Sequence, residues 1–92
     1  MNTKEKLKEI IDASLLKQDI KDVNYIIEIP NDKKNGDFSS NVAMEITRVL
    51  RKNPREIANN IVTNIDKNNI IDKVEVAGPG FINFYSNANN TL

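Results

Sequence analysis

The sequence predicts an α+β domain, a small antiparallel or mixed β-sheet with helices packed on one face, in the order helix, strand, helix, helix, strand, strand. Three observations carry this. Apolar residues recur at helical spacing in three separate segments. Near the C-terminus, two segments alternate with period two and are joined by Gly78-Pro79-Gly80. An isolated β-branched run, Tyr25-Ile26-Ile27-Glu28-Ile29, is stopped by Pro30.

The first helix spans Thr3 to Lys17. Leu7, Ile10, Ile11 and Leu15 fall on one face, Thr3 stands as N-cap, and Glu5 suits the positive end of the helix dipole. Gln18 to Asn24 is a polar connector, and Tyr25 to Ile29 is the first strand. Asn31 to Asp37 is a loop, with Asn35-Gly36 as its turn dipeptide. Asp37 is expected to cap a second helix running to about Lys52, with Phe38, Val42, Ile46, Val49 and Leu50 as its buried stripe.

Asn53-Pro54-Arg55-Glu56 ends that helix and starts the next. Asn53 caps, Pro54 sits at N1 where its missing N–H costs nothing, and Glu56 occupies the N3 position. Ile57, Ala58, Ile61, Val62 and Ile65 form the third apolar face. Asp66 to Asn69 is a polar turn. Ile70 to Ala77 and Gly80 to Tyr85 are the last two strands. The glycines of the turn between them can take positive φ without a Cβ clash.

A chain of 92 residues makes one small domain. With 39% hydrophobic and 28% charged residues it has enough apolar material for a core. The 13 basic and 13 acidic residues cancel, so no long-range field draws in a polyanion, and nucleic-acid contact has to come from local clusters and shape. Cysteine and histidine are absent. That removes thiol nucleophiles, disulfides, the usual zinc ligands and the commonest acid–base side chain. No apolar run has the length of a membrane span or signal peptide. The fifteen asparagines are scattered and mark turns rather than a low-complexity tract.

No catalytic constellation is found. Asp32, Asn35 and Asp37 share a glycine-containing loop, but Lys33 and Lys34 stand where a calcium loop needs oxygen ligands. Gly78-Pro79-Gly80 lacks the lysine and hydroxyl residue of a phosphate loop. No metal site is expected. Basic side chains cluster at Lys33 and Lys34, and again at Arg48, Arg51, Lys52 and Arg55. Each cluster reads either as a grip on phosphates or as surface solvation.

The sharper signal is the last strand. If Ile82 and Phe84 point into the core, Phe81, Asn83 and Tyr85 share the opposite face. Exposed rings stack on unpaired bases, and a carboxamide can both donate and accept at a base edge. The bland reading of the same rings is a second core face packed under a helix.

Three motifs resemble one family. Pro30 to Met44, containing Asn35-Gly36-Asp37-Phe38, is similar to a loop and helix start of the arginyl-tRNA synthetase N-terminal domain. Asn53-Pro54-Arg55-Glu56-Ile57-Ala58 resembles its next element, and Val74 to Phe84 its final hairpin. The motifs occur in the family's order and cover about two-thirds of the chain.

The resemblance implies a tRNA-recognition domain over residues 1–85, with 86–92 starting a linker to a catalytic domain downstream and Met1 as the natural start. It implies contact with the D-loop of tRNA(Arg) through Phe81 and Asn83. Gly78 falls where some members carry a polar contact residue. Tyr85 extends the set by alternation alone, and Lys33, Lys34, Arg51, Lys52 and Arg55 are the candidate phosphate contacts. Asn35 stands where many relatives have a histidine. ATP with magnesium and arginine belong to the parent enzyme, an arginine–tRNA ligase of the cytoplasm. No cofactor is expected in the domain itself, and no membrane partner. The alternative function is a protein-interaction module that docks a partner, or the parent's catalytic body, without touching RNA.

Overall fold

The structure is a computed structural model and describes residues 3–65 and 71–86. Helix α1 is Thr3–Lys17, strand β1 Ile27–Glu28, strand β2 Phe38–Ser40, helix α2 Val42–Leu50, helix α3 Pro54–Thr63, strand β3 Ile71–Ala77 and strand β4 Phe81–Ser86. A short 3-10 turn, Lys33–Asn35, lies between β1 and β2. The sheet has the order β1-β2-β4-β3, with every neighbouring pair antiparallel. The expected turn at 66–69, Ile70 and the expected linker beyond residue 86 lie outside the described residues.

The last of the described strands is an inner strand of the sheet. β4 pairs with β3 through Val74↔Phe84 and Val76↔Ile82, and with β2 through Phe38↔Phe84 and Ser40↔Ile82. These residues face the helices. Ile82 and Phe84 are buried against a core that includes Leu7, Ile11, Ile46, Ile57 and Ile61. Burial of each such side chain is favourable by about 1.5–3 kcal/mol.

α1 keeps its expected bounds, although Thr3 is already inside the helix. α1 packs on α3, and buried Ser14 donates its hydroxyl to the Ile61 carbonyl at 2.8 Å. A small side chain that spends its one donor in this way lets two helices approach without leaving a polar atom unpaired. α3 starts as expected: the Asn53 side chain accepts from the Arg55 backbone N–H at 2.9 Å, with Pro54 in the first turn. Its buried face is Ile57, Ala58 and Ile61.

Expectations fail at three places between residues 25 and 50. Phe38 does not open a helix, because Phe38–Ser40 form β2 and α2 begins only at Val42. Asp37 caps the sheet instead. Its carboxylate accepts from both the backbone N–H and the hydroxyl of Ser86, at 2.8 and 3.0 Å. β1 is shorter than the apolar run because side chains complete its ladder. Ile26 N–H donates to the Asn41 carboxamide oxygen at 2.9 Å, and the Ser40 hydroxyl donates to the Ile26 carbonyl at 2.8 Å.

The stripe of α2 is also shorter than expected. Val42, Ala43 and Ile46 are buried, but Val49 is 75% exposed and Leu50 44%. The helix ends there because Arg51 turns left-handed, at φ 55°, and its N–H donates to the Thr47 carbonyl at 2.8 Å. The last apolar positions therefore run past the edge of the core.

Urea denaturation should separate the two ends of this stripe. Ile46→Ala is expected to cost about 2–5 kcal/mol, whereas Val49→Ala should stay within about 0.5 kcal/mol of the parent chain. Equal losses at the two sites would contradict the packing described.

Candidate nucleic-acid interface

Alternation along β4 sends Phe81, Asn83 and Tyr85 to the face opposite Ile82 and Phe84. The register extends that face across all four strands. Glu28 lies opposite Ser39, Ser39 opposite Asn83, and Asn83 opposite Glu75. On β3, Ala77 flanks Phe81 and Lys73 flanks Tyr85. The helices pack on the other side.

The three β4 side chains fare differently. Phe81 is exposed at 37%, Tyr85 is half-buried, and Asn83 retains only 3% exposure. The expectation that all three stand out in solvent is thus corrected at Asn83. Asn83 sits mid-sheet between Ser39 and Glu75, and the loop between β1 and β2 folds back onto β4 at Phe84 and Tyr85. Between loop and hairpin runs a groove of about 500 Å³. Ser39 and Asn83 form its floor, Ala77, Gly78 and Phe81 one wall, and Pro30, Asp32 and Asn35 the other. Among the described residues no hydrogen bond uses the Asn83 carboxamide, and no sealed side-chain nitrogen or oxygen lacks a partner. Its polar atoms therefore reach the groove, with their donors and acceptor unspent.

Tyr85 is tethered. Its hydroxyl lies 2.6 Å from the Lys34 carbonyl and 2.9 Å from a Glu75 carboxylate oxygen. Lys73 sits over its ring at 5.0 Å and pairs with Glu75 at 3.0 Å. Glu75 is held below the usual carboxylate range, first by the hydrogen bond from Lys73 and then by that from Tyr85. Lys73 is raised by the same partner.

The structure joins two signals that are separate in the sequence. The hairpin turn packs against the start of α3. A Cβ on Gly80 would lie 2.9 Å from the Pro54 Cβ, and Gly80 takes φ +143°. Arg55 donates to the Gly78 carbonyl at 2.6 Å. A Cβ on Gly78 would in turn meet the Phe81 ring at 3.8 Å. Exposed Arg55 therefore lies at the hairpin end of the groove, and exposed Arg51 and Lys52 precede it in the short α2–α3 connection. Gly78 offers no side chain, and its carbonyl is already taken. Lys34 is exposed on the loop side, and the Lys33 side chain lies outside the described residues.

Sequence reasoning missed the loop wall, namely Pro30, Asp32, Asn35 and the floor residue Ser39. Their contribution depends on β2 pairing with β4, which leaves no local periodicity. Among the described residues no group of three or more Asp, Glu, His or Cys is placed to hold a metal ion, and no helix is long and apolar enough to cross a membrane. The arrangement can accept a flat, uncharged group against Phe81 and address its edge with Asn83, while cations at one end meet negative charge.

Residues 2–86 match the family model described as arginyl tRNA synthetase N terminal domain. Arginine–tRNA ligase 2 of Bacillus thuringiensis is 50% identical over 84 residues, which is 86% of this chain and 15% of that protein. The arginine–tRNA ligase of Bacillus subtilis is 47% identical over 89 residues, 91% of this chain and 16% of that protein. The chain thus spans only 15–16% of the length of these relatives. Two solved structures share the fold. Arginyl-tRNA synthetase from Plasmodium falciparum superposes with a TM-score of 0.82 at 22% identity, over 94% of this chain and 16% of its own. That of Thermus thermophilus superposes with a TM-score of 0.81 at 21% identity, over 94% and 14%.

The tyrosines give a direct check on the geometry. Both hold their protons above the ordinary phenol value of 10.0. Burial is the main cause at Tyr25, followed by its hydrogen bond to Asp12. At Tyr85 the hydrogen bond to Glu75 leads. Each folded value is raised, so the contribution to stability is complete below pH 10.0 and declines as the unfolded chain begins to lose protons. Alkaline titration of tyrosinate absorbance should show a delayed rise, and Tyr25→Phe should flatten the loss of stability above that pH. An ordinary midpoint for both phenols would rule out these contacts.

Proposed function

We propose, from the premise that this chain belongs to the arginyl-tRNA synthetase N-terminal domain family, that its groove binds the D-loop at the elbow of tRNA(Arg). A splayed loop base enters between the hairpin and the loop wall. It stacks on Phe81, and Asn83 hydrogen-bonds its edge. Arg51, Lys52 and Arg55 at the α2–α3 junction, and Lys34 on the loop side, are assigned in this reading to the flanking phosphates. Gly78 contributes backbone alone. The single observation that carries the proposal is the unspent carboxamide of Asn83, nine-tenths and more out of solvent yet open to a groove walled by an exposed ring.

The chemistry of the parent protein, arginine attachment driven by ATP with magnesium in the cytoplasm, belongs in this proposal to a catalytic domain beyond the chain described. The domain's own part is orientation. Binding energy gained at a remote part of the tRNA holds the reacting end in place, so less of the barrier remains as lost rotational and translational freedom. Arg55 illustrates the preparation: fixed to Gly78 before any RNA arrives, it keeps its remaining N–H donors in one orientation.

NMR titration of this chain with a D-arm RNA hairpin of tRNA(Arg) tests the reading. Shifts should concentrate on β4, the loop at 31–36 and the α2–α3 junction. Phe81→Ala should weaken binding by about 1–3 kcal/mol. Binding should also fall linearly as the logarithm of salt concentration rises, with a shallower slope for Arg51→Ala. Affinity indifferent to salt and to Phe81 would favour a protein-docking surface instead.

A further inference from the structure

We propose that Tyr85 is a positioning residue for the groove, its hydroxyl latching the loop wall through the Lys34 carbonyl rather than its ring stacking on a base. This rests on the reading of the groove as the RNA site.

The two ends of the loop are held differently. At its C-terminal end Asp37 N–H donates to the Phe84 carbonyl at 2.8 Å, and Asp37 accepts from Ser86. Gly36 sits so close to β4 that a Cβ there would lie 2.7 Å from the Phe84 carbonyl oxygen. Backbone contacts therefore fix that end. The tip is different. Asp32 turns it internally, accepting from Lys34 N–H at 2.9 Å, and Asn35 N–H donates to the Asp32 carbonyl at 3.0 Å. These bonds keep the tip's shape but do not join it to the sheet. The 2.6 Å contact of Tyr85 with Lys34 does. Lys34 stands between Asp32 and Asn35, both of which line the groove. Tyr85 thus helps to hold the wall residues Asp32 and Asn35 across the groove from Asn83.

Tyr85 is a poor stacking platform for the same reason. Lys73 occupies one ring face at 5.0 Å, and the hydroxyl is committed.

A tyrosine hydroxyl carries a single proton. The Lys34 carbonyl and the ionised Glu75 carboxylate are both acceptors, at 2.6 and 2.9 Å, so they compete for it. This gives the latch a sign. Tyr85→Phe removes the tether and keeps the ring. Glu75→Gln replaces the charged acceptor with a weaker amide oxygen and supplies an amide N–H that can donate to the phenol oxygen, which favours giving the proton to Lys34. The two changes should act in opposite directions.

The test measures affinity of this chain for the D-arm hairpin together with amide hydrogen exchange at residues 34–36. Tyr85→Phe should weaken binding about two- to tenfold, the loss expected for one hydrogen bond, and should speed exchange in the loop. Glu75→Gln should match or exceed the parent affinity and slow that exchange. In a double-mutant cycle with Phe81→Ala the effect of Tyr85→Phe should shrink, because both act on one groove. If Phe81→Ala weakens binding and Tyr85→Phe changes neither affinity nor exchange, the latch is wrong and the groove stands. A Glu75→Gln variant as impaired as Tyr85→Phe also refutes it, because the pair then acts as one structural unit. If Phe81→Ala has no effect either, the groove is not the RNA site and the latch falls with it.

Discussion

The pairing of β4 with both β2 and β3 is the constraint on which the rest of the molecule depends. It places Ile82 and Phe84 under the helices and so fixes what the other side of the strand carries. Because side chains alternate with period two, the core and the groove are two faces of one six-residue segment, Phe81–Ser86. A slip of one residue would turn Phe81 and Asn83 toward the helices and Phe84 toward the groove. The backbone contacts around Phe84, to Asp37 N–H on one side and to β3 on the other, hold the register against that slip.

The helices and the hairpin were legible because their signals are local. Leu7, Ile11 and Leu15 recur within one helical face, Asn53-Pro54 spells out a helix start, and Gly78-Pro79-Gly80 supplies the φ values of a turn. β2 was not legible. Phe38-Ser39-Ser40 is three residues long, and its pairing partners, Phe84 to Ile82, lie far along the chain. Spacing at 38, 42 and 46 suits a helix as well as a strand followed by a helix, and only the non-local pairing chooses. Asp37 misled for a related reason. A carboxylate before an apolar run is an N-cap signal, but here the N–H it satisfies belongs to Ser86. Val49 and Leu50 continue the apolar pattern of α2 past the point where the core can receive them.

The site was half legible. Parity assigned Phe81, Asn83 and Tyr85 to the correct face but not to their depths. Depth depends on the neighbouring strands β2 and β3 and on the loop at 31–37, whose path is set by contacts with β4. The three residues therefore divide the work in a way that alternation alone does not reveal. In the proposed reading Phe81 offers a surface, Asn83 an edge-reading group at the floor, and Tyr85 a tether. Likewise Arg55 reads in sequence as one more charge at a helix start, whereas in the fold its bond to Gly78 makes it part of the hairpin.

The strand order has a consequence for synthesis. β2 is made before β3, yet the two do not pair; the strand between them follows both in the sequence. Until residues 81–86 clear the ribosome, three helices have apolar faces but no complete sheet to cover. Closure of the sheet awaits β4. The stretch that would touch RNA is thus also the one whose arrival completes the fold, so a chain cut short before it would lose both at once.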